Sequence, residues 1–418
     1  MAAFKYIVRL DWVIIFLYLA LVSIGWVNIY SASWDPSIVD FVDFDQIYFK
    51  QLIWIGLSLI LIVFILAIDS KFYERFSSII YLAALVLLLG LFPFGKTING
   101  ATSWYNFGGL GLQPGEFAKA ATALALGKYI SDIQTNIRRF NHQLRAFLII
   151  FLPSLFIVLQ PDPGSALVFG AFLFPLFREG LHPFYLSLGF IAGFLFAVTL
   201  AFGLKWVSIG LLAVVIFIYA LNRKKRGSFS KFATVAVIGL VFVFSVNYIF
   251  NQVFEQRHRD RFNIVLGKEV DTQGIGYNIN QSQIAIGSGG LTGKGWLQGT
   301  QTKGRFVPEQ HTDYIFSTVG EEWGFLGAFL VIILFVMLII RIIIKAERQN
   351  SQFSRVYGYG VASVLFFHFL VNIGMVSGLL PTVGIPLPFL SYGGSGLWSF
   401  TILLFIFVKF DSQRHINR

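Results

Sequence analysis

Cysteine is absent from the 418 residues, which excludes disulfides and thiolate metal sites. Charge is scarce: Asp, Glu, Lys and Arg together make up only 13% of the chain. Acids are the rarer sign, 21 against 32 bases, for a net charge of +11. Histidines number six and are scattered, and the one close pair of candidate ligands, His311 and Asp313, is too small a set to specify a metal. There is no phosphate-binding glycine loop of the P-loop kind, no nucleophile elbow and no internal repeat at a fixed period. No polar stretch is long enough for a soluble domain. What is present is apolar: 56% of the residues, with a mean hydropathy of +0.72, which places the chain in the integral-membrane class. A charge of +11 would suggest nucleic acid if the bases lined one soluble face. They sit instead in short loops between apolar runs, so no nucleic-acid partner is expected.

The apolar runs read as twelve spans, at about 12–30, 51–68, 78–95, 116–130, 145–160, 164–178, 184–203, 205–221, 232–250, 313–343, 356–379 and 396–410. The expected fold is an all-α integral membrane protein, one polytopic helical bundle over 1–418. The first run follows Lys5 and Arg9 and resembles a signal peptide, but it is long for one and eleven more follow. Basic residues fall in alternate loops: Lys5 and Arg9; Lys71 and Arg75; Arg138, Arg139 and Arg145; Arg223 to Arg226 and Lys231; Lys345, Arg348 and Arg355. That side is read as cytoplasmic, and it holds both termini. The run 223–226 reads as a topology anchor that also attracts anionic membrane lipid. The first loop on the other side is acidic, with Asp35, Asp40, Asp43 and Asp45. The same outer side carries one long loop, 251–312, whose segment 283–290 is too apolar to be freely solvated and is expected to pack as a re-entrant or interfacial element.

Four stretches carry candidate chemistry. The first, 303–324, joins the long polar loop to an apolar helix and crowds Lys303, Arg305, Glu309, His311 and Asp313 together. Charges near hydrocarbon tend to pair, to line a cavity or to act on a substrate. In the second, Gln113-Pro114-Gly115-Glu116 opens a helix that places Glu116 and Lys119 on one face. That pair is either an intrahelical ion pair or a cavity wall whose lysine meets an anion. The third, Gln160-Pro161-Asp162-Pro163-Gly164, is a tight turn that needs no function, yet it puts Asp162 between apolar helices on the outer side. The fourth, 381–395, has three prolines and a Gly-Gly pair around Ser391 and reads as the floor or lid of a cavity. His368, inside a span, reads as a packed or hydrogen-bonded histidine.

With Gln281 to Gly290, Pro308 to Gly324 and Asn372 to Gly396, these motifs resemble the SEDS family of membrane glycosyltransferases over nearly the whole chain. Gly293 to Gln301 is similar to the elongation branch rather than the division branch. The resemblance implies a core of ten spans, so that 184–221 is an inserted hairpin. It implies a bacterial cytoplasmic-membrane enzyme, with its active site outside, that polymerises lipid II, and a class B penicillin-binding protein as partner. A lipid II flippase is the alternative. Asp313 is then the candidate catalytic base. Glu116, Lys119, Asp162, Lys294, Lys303, Arg305, His311 and Ser391 are candidate substrate contacts. Lys119, Lys294, Lys303 and Arg305 are the cations available to a leaving diphosphate; a divalent cation is left open and no cofactor is assigned.

Overall fold

The computed structural model describes residues 10–34, 42–98, 100–108, 110–222, 229–254, 256–268 and 275–414. Lys5, Arg9, Asp35, Asp40 and the basic run 223–226 lie outside them. The elements in order begin with α1 (Trp12–Ser33), α2 (Ile47–Ala67) and α3 (Ser70–Phe94). Three short strands follow, β1 (Lys96–Ile98), β2 (Ala101–Phe107) and β3 (Leu110–Leu112). Next come α4 (Pro114–Ile130) and α5 (Phe140–Leu159), then a span made of α6 (Pro163–Leu167), a 3-10 turn (Val168–Phe172) and α7 (Leu173–Arg178). The chain continues with α8 (Pro183–Asn222), α9 (Phe229–Tyr248), α10 (Gln256–Val265), α11 (Ile275–Ser288) and α12 (Thr300–Lys303). It ends with α13 (Ile315–Glu347), α14 (Gln352–Val376) and α15 (Gly394–Gln413). Among the described residues, nine helices are long and apolar enough to cross a membrane, and the fold is that of a polytopic helical membrane protein.

The spans expected at 184–203 and 205–221 are the two helical halves of α8, which Gly203 separates with non-helical backbone (φ 80°, ψ 162°). Two differences from the sequence reading have local causes. The stretch expected as a long loop, 251–312, is helical in good part, and its apolar segment belongs to α11. Ser282 Oγ and Gln283 Nε2 of α11 bond the carbonyls of Val376 and Ser377 at the end of α14, both at 3.0 Å. The small antiparallel sheet, in order β1-β2-β3, was not anticipated. β1 and β3 have only three residues each, too few for periodicity to register, and the sheet is fixed from outside, by Thr102 N–H on the Gln160 carbonyl at 3.1 Å.

The chain divides into two compact units, residues 183–277 and the remainder. The first is held by a cluster of Leu200, Val246 and Phe250 with Phe196, Phe242, Phe254 and Phe262. Its α8 and α9 otherwise present exposed Phe190, Phe194, Ile216, Val237 and Val241, as expected of helices bathed in hydrocarbon.

In the larger unit, α2 likewise exposes Val63 and Phe64, whereas α4, α14 and α15 are largely buried. Helix α4 lies inside because it is built of small residues: Ala118, Ala120, Ala121, Ala123 and Ala125 let neighbouring backbones approach. One end of this unit is tied by ion pairs. Asp11 caps α1 through the N–H groups of Val13 and Ile14, at 3.1 Å each. It also meets Lys345 Nζ at 2.7 Å and Arg341 Nη2 at 2.9 Å. Burial alone would raise the pKa of Asp11, but the bonds from Lys345 and Arg341 outweigh it and hold the carboxyl below its usual range. Asp313 stands beyond the opposite end of α13. From Gly324 to Glu347 that helix is about 35 Å long at ~1.5 Å per residue, enough to cross a hydrocarbon layer of about 30 Å.

Candidate active site

The proline-rich segment 381–395 is the hub. Three prolines keep it out of the helical conformation, so its backbone groups are free to bond other elements. It touches each of the other three stretches singled out in the sequence. Ser395 Oγ accepts from Gln113 N–H at 2.9 Å, at the start of α4. The carbonyl of Val383 lies against Gly164, where a β-carbon would be only 2.1 Å from it. Tyr392 N–H donates to the His311 carbonyl at 2.8 Å, and Ser391 Oγ to the Thr312 carbonyl at 2.7 Å. Asn372 of α14 donates from Nδ2 to both Asp313 O and Ile385 O, at 2.8 Å each.

Asp313 is half-buried two residues before α13, whose N-cap position is held by Tyr314. A β-carbon on Gly384 would lie 3.5 Å from Asp313 Oδ2, so the carboxylate faces the hub. Lys303, Arg305 and Glu309 are exposed on the same connection, with Lys303 Nζ 5.6 Å from the centre of the Trp34 ring. Arg305 and Glu309 are left-handed (φ 50° and 52°), which folds the connection back on itself. His311 stacks edge-on against Tyr392. Burial pulls its pKa below 6.5; Glu309 opposes that shift and Arg305 adds to it.

Glu116 and Lys119 sit deeper. Both side chains are 1% exposed and meet at 2.7 Å. Lys119 Nζ is also 2.7 Å from His368 Nε2 and 5.1 Å from the centre of the Phe400 ring. The tautomer follows from the far side of the imidazole. His368 Nδ1 lies 3.1 Å from the Pro386 carbonyl, which can only accept, so Nδ1 carries the proton and Nε2 accepts from the ammonium. Lys119 thus supports the hub from below through His368. Asp162 caps α6, accepting from Ser165 N–H at 3.0 Å and Ser165 Oγ at 2.8 Å, and it also receives Ser103 Oγ at 3.2 Å.

Lys294 is paired with Glu321 at 2.8 Å, at a break in α13. Gly324 (φ 65°, ψ −161°) interrupts that helix, and the segment 290–295 is sewn into the gap. Phe325 and Leu326 N–H bond the carbonyls of Gly290 and Leu291 at 2.9 and 3.1 Å. In return Lys294 and Gly295 N–H bond the carbonyls of Glu321 and Glu322, both at 3.0 Å. The fully buried Glu321 carboxylate also accepts from the N–H groups of Gln301 and Thr302, at 2.9 Å each, which fixes α12. Among the described residues no three His, Asp or Glu side chains are grouped to hold a metal ion.

The same arrangement of segments has known counterparts. The cell cycle protein family model that joins FtsW, RodA and SpoVE matches residues 11–226 and 207–416. The peptidoglycan glycosyltransferase MrdB of Escherichia coli is 34% identical over 343 residues, 82% of this chain and 80% of its own. The chain belongs to the FtsW/RodA/SpoVE family. Peptidoglycan glycosyltransferase RodA of Treponema pallidum is 32% identical over 97% of this chain and 98% of its own. Among solved structures, a chain from a peptidoglycan synthase complex that coordinates polymerisation and crosslinking superposes with a TM-score of 0.70 at 27% identity, over 97% of this chain and 98% of its own. The rod shape determining protein RodA of Thermus thermophilus gives 0.63 at 25% identity, again over 97% and 98%.

In this member of the family, Asn372 and Glu321 are buried polar groups of the candidate site whose contacts sequence reasoning missed, whereas His368 is the hydrogen-bonded histidine expected. A signal existed for both: His368 and Asn372 are four apart in an apolar helix, so they share one face. Glu321 and Glu322 likewise interrupt an otherwise apolar run.

Proposed function

We propose that this peptidoglycan glycosyltransferase polymerises lipid II on the outer face of a bacterial cytoplasmic membrane, with Asp313 as general base. The observation that carries the reading is the placement of Asp313: a half-buried carboxylate on a pinned connection, facing a hub on which the other motifs converge. A sugar hydroxyl is a weak nucleophile, and a carboxylate within reach takes its proton as the oxygen attacks the anomeric carbon. The bond to the lipid diphosphate breaks, and the charge that develops there calls for cations. Lys303 and Arg305 are exposed on the same connection as Asp313, whereas the Lys119 side chain is 1% exposed and that of Lys294 26%. We therefore assign the diphosphate to Lys303 and Arg305, and to Lys119 and Lys294 the support of the hub and of the break in α13. Asp162, engaged with Ser165, shapes the neighbouring turn.

Both termini are taken to be cytoplasmic, on the side of the Asp11, Lys345 and Asp411 pairs. A class B penicillin-binding protein is the partner that this reading requires to crosslink the product. The similarity to a chain from a complex that both polymerises and crosslinks supports it. The inserted hairpin 184–221, which belongs to the unit 183–277, is read as having little catalytic role.

The test is reconstitution of the full chain with that partner and labelled lipid II. Asp313→Asn keeps size but removes the base, and glycan synthesis is expected to fall about 100- to 10,000-fold. Near-normal polymerisation by Asp313→Asn overturns the assignment. Translocation of lipid II without polymer moves the protein to the flippase class.

A further inference from the structure

The carbonyls of three consecutive residues, His311, Thr312 and Asp313, are each bound by a different donor: Tyr392 N–H at 2.8 Å, Ser391 Oγ at 2.7 Å and Asn372 Nδ2 at 2.8 Å. No regular secondary structure imposes this, since α13 begins only at Ile315. The N–H groups of Thr312 and Tyr314 turn the other way, to the Glu309 carbonyl at 3.1 and 3.2 Å. The Thr312 carbonyl belongs to the peptide plane before the α-carbon of Asp313, and the Asp313 carbonyl to the plane after it. Ser391 therefore holds one flanking plane and Asn372 the other. With both planes fixed, the backbone dihedrals of residue 313 are fixed, and only side-chain rotation remains to the carboxylate.

We infer that Asn372 and Ser391 are positioning residues that set the direction of the Asp313 carboxylate; this rests on the reading of Asp313 as the base. Asn372 supports it by what it leaves undone. It is fully buried, and its amide nitrogen serves Asp313 O and Ile385 O, while its Oδ1 has no partner among the described residues. A buried amide oxygen without a donor is destabilising, so packing alone would favour leucine, of similar volume, at this position. The asparagine is kept for its two donors. Ser391 is committed in the same way, donating to Thr312 O and accepting from Leu387 N–H at 2.8 Å.

The experiment compares Asn372→Leu, Ser391→Ala, Ser391→Thr and Asp313→Asn in the reconstituted complex. It reads kcat and KM for lipid II, the acid limb of the pH–rate profile, and the folded fraction by size exclusion. A displacement of about 1 Å at a reacting group costs about 100-fold. Asn372→Leu and Ser391→Ala are accordingly expected to lower kcat about 10- to 100-fold with KM little changed, and to shift the acid limb. Ser391→Thr, which keeps the hydroxyl, restores both. A purely structural role would lower the folded fraction and leave the acid limb of the remaining enzyme where it was; that outcome overturns the inference. So does unchanged kcat in both variants while Asp313→Asn is inactive, which leaves Asp313 as the base. Full activity of Asp313→Asn instead overturns the reading beneath it. Ser391→Ala removes a single atom, so it decides the matter should Asn372→Leu fail to fold.

Discussion

Replacing Lys119 by methionine tests whether the core of the larger unit depends on a buried charge. Methionine keeps most of the stem and removes the ammonium. Three contacts go with it: Glu116 Oε1 at 2.7 Å, His368 Nε2 at 2.7 Å and the Phe400 ring at 5.1 Å. Glu116 Oε2 has no partner among the described residues, so the ammonium is the main compensation for that carboxylate. Breaking a buried pair by removing one member costs about 3–5 kcal/mol, and an orphaned imidazole nitrogen adds about 1–3 kcal/mol. The two effects share one site and do not add in full, so a net loss of about 4–5 kcal/mol is expected. A midpoint moves about 2–4 °C per kcal/mol in domains of about 150–250 residues, and less in longer chains. Lys119→Met should then melt about 5–10 °C below wild type in detergent, followed by size exclusion. Glu116→Gln combined with Lys119→Met removes the stranded charge and should recover about half of that loss. A single variant as stable as wild type, or a double variant no better than the single, refutes the idea that Glu116 is a buried carboxylate held by Lys119.

Two further outcomes follow from the geometry. His311 has its pKa pulled below 6.5, chiefly by burial, so the unfolded chain binds its proton first. The stability it contributes is complete above about pH 6.5 and is lost as pH falls through the folded value. His311→Gln should therefore lose less melting temperature than wild type between about pH 7 and pH 5, and equal losses would refute this. At Gly289, just before the segment sewn into α13, a β-carbon would lie 2.0 Å from the Gly320 carbonyl oxygen. Gly289→Ala should destabilise the fold by about 1–3 kcal/mol, whereas an unshifted melt would show that the segment does not pack against the helix as described.

The sequence alone determined the solvent of this protein and marked the parts of its candidate site. Apolar runs of span length with bases in alternate loops leave no other class, because backbone in hydrocarbon must satisfy itself as helix. Residue types and short spacings likewise marked Asp313, the Glu116–Lys119 pair and the segment 381–395, since helix periodicity and proline geometry are local properties. Tertiary structure decided what each part touches. Nothing local says that Lys119 meets His368, 249 positions away, or that Lys294 is engaged by Glu321. Nor does it say that Asp313 is pinned by Asn372 and Ser391, 59 positions beyond Asp313 and 79 beyond Thr312. Such contacts depend on how helices pack, and polar side chains at membrane depth take whichever partner that packing brings within reach. The same reason explains why the sheet at 96–112 and the helices within 251–312 were not legible: they are short, and long-range bonds such as those from Ser282 to Val376 and from Thr102 to Gln160 hold them in place.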